Sequence, residues 1–200
     1  MGFGANELDS ASRGILRAIQ PAGVILFTRN ITAAQPCFEL LQECQNHVVE
    51  PLFRCVDLEG GDVDRLRDAV RPAPAVADVA ATKDKKLFRR HGRLIGEEVR
   101  ALGFNVNFAP VLDLALPASR PVLGTRTVSA DPHKTVLYAN EFLRGLRDAN
   151  VLGCGKHFPG LGEANLDTHI ELPQVRKSLA SRMPSSGSVN GTGMASFCAA

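Results

Sequence analysis

Four short apolar runs, Gly23–Phe27, Phe53–Val56, Phe104–Ala109 and Val151–Cys154, constrain this chain more than any other feature. Each is rich in Val, Ile or Phe and runs directly into polar or glycine-bearing residues, as a buried strand of a parallel sheet does where it meets a loop. The intervening stretches have helix length. Thr32 with Gln35 reads as a capping box opening a helix to about His47, and Thr82 as the cap of a second helix. Leu87, His91, Leu94, Ile95, Glu98 and Leu102 fall at a 3.6-residue period along that second helix, with Gly103 as its stop. Asp131-Pro132 reads as cap and first-turn proline of a third helix carrying Leu137, Phe142, Leu143 and Leu146. Strands alternating with helices in this way build parallel β/α units.

Such units close into an open doubly wound sheet or into a (β/α)8 barrel, and the polar motifs decide between them. Asp57-Leu-Glu-Gly-Gly61, Ala109-Pro-Val-Leu-Asp113 and Lys156-His-Phe-Pro-Gly160 follow three different strands. That pattern fits a TIM-type barrel whose site is assembled from many βα loops, not a sheet with one switch point. A barrel takes eight strands and typically about 250 residues. Four strands and a stub, Met1-Gly-Phe3, are legible here, so the expectation is an incomplete barrel with about five of the eight units.

The barrel part is expected to span residues 1–177. From Ser178 to Ala200 the composition shifts to six Ser, three Gly and one charged residue, Arg182, without apolar periodicity. Such a segment buries too little surface to offset its ordering entropy, and it reads as a disordered tail, from a natural truncation or a shifted reading frame alike. Lys+Arg 23 against Asp+Glu 21 gives a net charge of +2 with the signs interspersed, so neither nucleic acid nor an anionic membrane is an expected partner. No signal peptide or spanning segment is legible, and a cytoplasmic location is expected. Cys37, Cys44, Cys55, Cys154 and Cys198 are scattered without a C-x-x-C pair and read as reduced, mostly buried thiols.

Three motifs carry side chains suited to chemistry. Asp57-x-Glu59 ends a strand; its carboxylates either grip ligand hydroxyls or satisfy a turn's own N–H groups. Lys156-His157 at another strand end lacks the spacer and Ser/Thr of a phosphate loop, and a buried lysine there requires an acid nearby. Asp167-Thr-His169 follows a Gly/Pro-rich loop; alternate residues of an extended segment share a side, so Asp167 can orient the His169 ring for proton transfer. The same pattern also suits a solvated loop. His47, His91 and His133 have no ligand-like spacing, and no metal or cofactor is expected.

Taken in order, Gly23-Val-Ile-Leu-Phe-Thr-Arg-Asn30, Asp57-Leu-Glu-Gly-Gly-Asp-Val-Asp-Arg-Leu66, Asn107-Phe-Ala-Pro-Val-Leu-Asp113, Arg126 to Pro132, and Gly155-Lys-His-Phe-Pro-Gly160 through Asp167-Thr-His169 and Leu172-Pro173 resemble the N-terminal barrel of glycoside hydrolase family 3, in its β-N-acetylhexosaminidase branch. The resemblance implies that Asp57, Arg65, Arg126, Lys156 and His157 surround a sugar, with Asp57 and Lys156 on ring hydroxyls. It implies that His169, oriented by Asp167, is the general acid/base of a retaining hydrolysis of terminal N-acetylglucosamine from small muropeptide or chitin-derived saccharides. Leu161 stands where the family usually has a second histidine. The family's nucleophilic Asp would lie beyond His169 and has no counterpart in the Ser/Gly-rich tail. A barrel fragment without catalytic activity is therefore the alternative, and a phosphorylase on the same fold is a third reading. Oligomeric state is not legible.

Overall fold

The computed structural model describes residues 1–158, 160 and 161. Asp167, His169 and the segment 178–200 lie outside the described residues. In chain order the elements are α1 (Ser10–Ile19), β1 (Gly23–Ile25), α2 (Ala34–Asn46), β2 (Phe53–Val56), β3 (Leu58–Gly60), β4 (Val63–Asp64), α3 (Val76–Ala81), α4 (Lys85–Ala101), β5 (Val106–Asn107), α5 (Arg120–Leu123), α6 (Pro132–Asp148) and β6 (Leu152–Gly153).

β1, β2, β5 and β6 form a parallel sheet in that order, with Gly23 opposite Phe53, Cys55 opposite Val106 and Val106 opposite Leu152. The stub Met1–Phe3 takes the next place outward through a parallel bridge between Gly2 and Ile25. Strand order follows chain order without a reversal, which is how successive β/α units add to a barrel and not how a doubly wound sheet is laid out. β3 and β4 are set apart as an antiparallel hairpin immediately after β2, where the sequence suggested a simple turn.

β5 and β6 are shorter than their apolar runs, but ladder hydrogen bonds continue past them: Phe108 N–H donates to Val56 O at 2.9 Å and Cys154 N–H to Asn107 O at 3.0 Å. Two asparagine side chains strengthen the same seam. Asn105 accepts from Arg54 N and donates to Leu52 O, and buried Asn107 accepts from Leu58 N at 2.9 Å and donates to Leu58 O at 2.8 Å. An amide side chain has the donor and acceptor of a peptide group, so each asparagine acts as an added ladder rung.

The helices depart from the sequence expectations in three places. α2 begins at Ala34 with Ala33 as an N-cap lacking a side-chain bond; Gln35 instead bonds Glu39 along the helix, so the Thr32–Gln35 capping box does not form. α4 is capped by Asp84, whose carboxylate accepts from Lys86 N at 2.8 Å, whereas Thr82 ends α3 and donates to Val79 O. The buried face of α4 is Phe88, His91, Gly92, Ile95, Gly96 and Val99, leaving Leu87 and Leu94 partly exposed. Asp131-Pro132 opens α6 as expected, Asp131 accepting from His133 N.

Close contact between α4 and α6 selects that face. A Cβ on Gly92 would stand 2.1 Å from Phe142 O, and one on Gly145 2.2 Å from Arg89 O, so the two backbones meet where only glycine fits. Beside this crossing Phe88, His91, Tyr138 and Phe142 form an aromatic cluster in which His91 Nδ1 lies 2.7 Å from Tyr138 OH. Burial pushes the His91 imidazole down to about 4 from its ordinary 6.5. Burial likewise pushes the Cys37 and Cys44 thiols up to about 12 and Cys55 up to about 11, in keeping with inert core thiols.

Gly92→Ala should lower unfolding free energy by about 1–3 kcal/mol through overpacking. Gly14→Ala, on α1 with open space around it, should be neutral or stabilise by up to about 1 kcal/mol. Urea denaturation of the two variants checks the contrast. Because the folded state resists protonating His91, the unfolded state binds more protons between about 6.5 and 4, and stability should fall as pH drops through that window. His91→Gln should flatten that slope in pH-dependent denaturation.

Candidate functional site

The carboxyl ends of β2, β5 and β6 converge on one charged cluster. β2 runs into Asp57 and Glu59 on the hairpin, the chain beyond β5 supplies Asp113 and Arg126, and β6 runs into Lys156 and His157. The outgoing chains of β5 and β6 stay paired past the sheet: Lys156 bridges Val111, with Lys156 N–H to Pro110 O at 3.0 Å and Leu112 N–H to Lys156 O at 2.6 Å. This extension carries Lys156 across to the acids of β2 and β3. Ala109–Pro110 and Lys156–His157 are both cis peptides.

Glu59 is the centre of the cluster. Its side chain is fully buried and accepts from Arg126 Nε at 2.8 Å and Nη2 at 2.9 Å in a two-pronged pair, while Lys156 Nζ lies 2.6 Å from its Oε1. Lys156 Nζ also donates to Asp57 Oδ1 at 2.6 Å. Among the described residues the acids thus take cations and not backbone N–H groups, and the largely shielded lysine has the acidic partners it requires. Burial works against the Arg126 charge, but the Glu59 pair and the neighbouring Asp113 and Asp57 outweigh it and hold its acidity weaker than ordinary.

The second half of the cluster is Asp113 and His157. Asp113 Oδ2 lies 2.6 Å from His157 Nδ1, and His157 Nε2 lies 3.4 Å from Arg126 Nη2. Burial alone would raise the Asp113 carboxyl, but hydrogen bonds from His157 and the Leu161 amide hold it below the usual range.

Of the residues singled out from sequence, Asp57, Arg126, Lys156 and His157 come together directly. Arg65 joins them through its backbone, its N–H donating to Asp57 O at 3.4 Å, and its buried Nε has no hydrogen-bond partner among the described residues. Asp167 and His169 lie outside the described residues. Sequence reasoning missed Asp113 as a site residue and treated Glu59 only as half of a motif; the signal for both was an acid within six residues of a strand end. Among the described residues no group of three or more His, Cys, Asp or Glu is arranged to hold a metal ion. No helix among them is long and apolar enough to cross a membrane.

Parallel strands in chain order with a charged cluster at their carboxyl ends define the class: a β/α barrel of the kind whose sites are built from βα loops. The glycosyl hydrolase family 3 N-terminal domain matches residues 5–183, and the chain belongs to that family. A β-hexosaminidase of Pseudomonas aeruginosa is 37% identical over 179 residues, 88% of this chain and 53% of the relative. One from Idiomarina loihiensis is 34% identical over 177 residues, 86% of this chain and 53% of the relative. The chain thus spans about half the length of these curated relatives. Among solved structures, a glycoside hydrolase family 3 β-N-acetylglucosaminidase from Paenibacillus sp. FPU-7 aligns with a TM-score of 0.84 at 33% identity, covering 90% of this chain and 35% of that one. NagZ from Neisseria gonorrhoeae aligns at 0.82 with 28% identity, covering 90% of this chain and 55% of that one.

Removing one member of a buried ion pair leaves the others uncompensated. Glu59→Gln should therefore cost about 3–5 kcal/mol of stability. Asp57→Asn should cost clearly less, since its side chain is partly exposed and Lys156 keeps Glu59. Chemical denaturation at neutral pH reads the difference.

Proposed function

We propose that this chain provides the sugar-holding part of a retaining β-N-acetylglucosaminidase acting on small saccharides with a terminal N-acetylglucosamine. The observation that carries the reading is the cluster of Asp57, Glu59, Arg126, Lys156 and His157 in the chain that follows β2, β5 and β6, charged and largely shielded with a partly exposed edge. A pyranose offers a ring of hydroxyls that both donate and accept, and paired carboxylates and ammonium groups match them in a site where water competes weakly. Arg65, whose backbone N–H bonds Asp57 O and whose Nε has no partner among the described residues, suits an acceptor on the sugar. The names of the relatives, β-hexosaminidase and β-N-acetylglucosaminidase, support N-acetylglucosamine as that sugar.

In the proposed reaction a carboxylate attacks the anomeric carbon as the glycosidic C–O bond breaks, and the leaving oxygen takes a proton from His169. Water then attacks the same carbon, gives its proton back to His169 and frees the carboxylate, so that the configuration is retained. Asp167 orients His169. The family resemblance places the attacking carboxylate beyond His169.

The test is nitrophenol release from nitrophenyl N-acetyl-β-glucosaminide, with the β-glucoside as control and product anomers followed by NMR. The N-acetylated substrate should be preferred, the β anomer should form first, and His169→Ala should lower turnover by about 10²–10⁴-fold. Undiminished turnover in His169→Ala overturns the dyad, and the α anomer overturns retention. A folded protein that binds N-acetylglucosamine without turnover supports the sugar site and removes the catalytic part of the reading.

A further inference from the structure

The fully buried carboxylate of Asp113 has three partners. Beyond the contact between its Oδ2 and His157 Nδ1, Oδ2 accepts from the His157 backbone N–H at 3.2 Å and Oδ1 accepts from the Leu161 N–H at 2.5 Å. An ionised carboxylate can only accept, so the ring nitrogen that faces it carries a proton. On the other side of the ring, Nε2 faces the Arg126 guanidinium, which has donors and no acceptor, so Nε2 presents its lone pair. One neutral tautomer satisfies both neighbours.

We propose that Asp113 is a positioning residue that holds His157 in the Nδ1–H form, leaving Nε2 as a hydrogen-bond acceptor beside Arg126, and that the same carboxylate ties the Gly160–Leu161 turn to that ring. Gly160 has φ +126°, a conformation glycine adopts without strain, and the turn delivers the Leu161 N–H to Asp113. The contact uses the backbone of Leu161 alone, so the residue type at this position does not affect it. Arg126 approaches Nε2 only at 3.4 Å, so the Nε2 lone pair suits a sugar hydroxyl that donates in place of the guanidinium, and this assignment of the ligand rests on the glycosidase reading above. The tautomer itself does not.

Long-range ¹H–¹⁵N correlation of the imidazoles at neutral pH, with His157→Gln to assign the signals, reads the tautomer directly. The expected spectrum has His157 Nδ1 protonated and Nε2 bare; a protonated Nε2, alone or in an imidazolium, overturns the proposal. In Asp113→Ala no acceptor faces Nδ1, and the ring should no longer be held in one tautomer but exchange between the Nδ1–H and Nε2–H forms. The KM for the nitrophenyl N-acetylglucosaminide should then rise by up to about tenfold, the weakening of one neutral hydrogen bond from a sugar hydroxyl to Nε2. Retention of a single Nδ1–H form in folded Asp113→Ala overturns the role of Asp113, and if that variant fails to fold the wild-type spectrum decides alone. An Nδ1–H spectrum in a protein that binds no N-acetylglucosamine overturns the sugar reading and leaves the tautomer standing.

Discussion

Burial of the Glu59 carboxylate is the constraint from which the site follows. A carboxylate with no exposed surface costs several kcal/mol unless cations and donors surround it. Here the cations come from Arg126, 67 residues further along the chain, and from Lys156 beyond it. Three βα connections must therefore end at one point. The hairpin that presents Glu59 is held from below by the Asn107 amide, which takes both the N–H and the C=O of Leu58. The acid's position is set by the sheet itself, and the flexible cations adapt to it.

The scaffold is equally economical in how it places helices. α4 and α6 touch backbone to backbone at Gly92 and Gly145, and the aromatic cluster of Phe88, His91, Tyr138 and Phe142 fills the space beside them. Glu59 lies close enough to Tyr138 for its charge to raise the phenol's proton affinity, along with the larger effect of burial. The polar cluster and the helix layer thus share a boundary.

What was legible in the sequence was whatever repeats locally. The four strands and helices α4 and α6 stand out because burial imposes a period on them, and the Asp131-Pro132 start held because both residues act within one turn. α1 was not singled out because it is only ten residues long and Leu16 is its one buried residue, although Ile15, Leu16 and Ile19 lie on one side. The stripe drawn on α4 included Leu87 and Leu94 because they are apolar and omitted the glycines, whose burial is decided by a helix 50 residues away. Thr82 is a good cap by chemistry, but Asp84 stands nearer the first helical turn and accepts the N–H instead. For the site, strand-end acids and bases could be seen, and the pairing of Asp113 with His157 across 44 residues could not, because no local pattern encodes it. The family motifs singled out Asp57, Arg126, Lys156 and His157, and the structure gathers these four into one cluster around Glu59.

Strand order matching chain order also fixes a sequence of events in assembly. Each new strand of the parallel sheet docks on the one before it in that sheet, so β1, β2 and β5 can associate as the chain is made, the β2–β5 connection closing over the β3–β4 hairpin, α3 and α4. The charge cluster obeys a different clock. Lys156 arrives 99 residues after Asp57, so until β6 has docked the acids beyond β2 lack their lysine and favour water over burial. A nascent chain that has already paired β1, β2 and β5 therefore keeps its cup wet and open, and among the described strands β6 is the one that dries it.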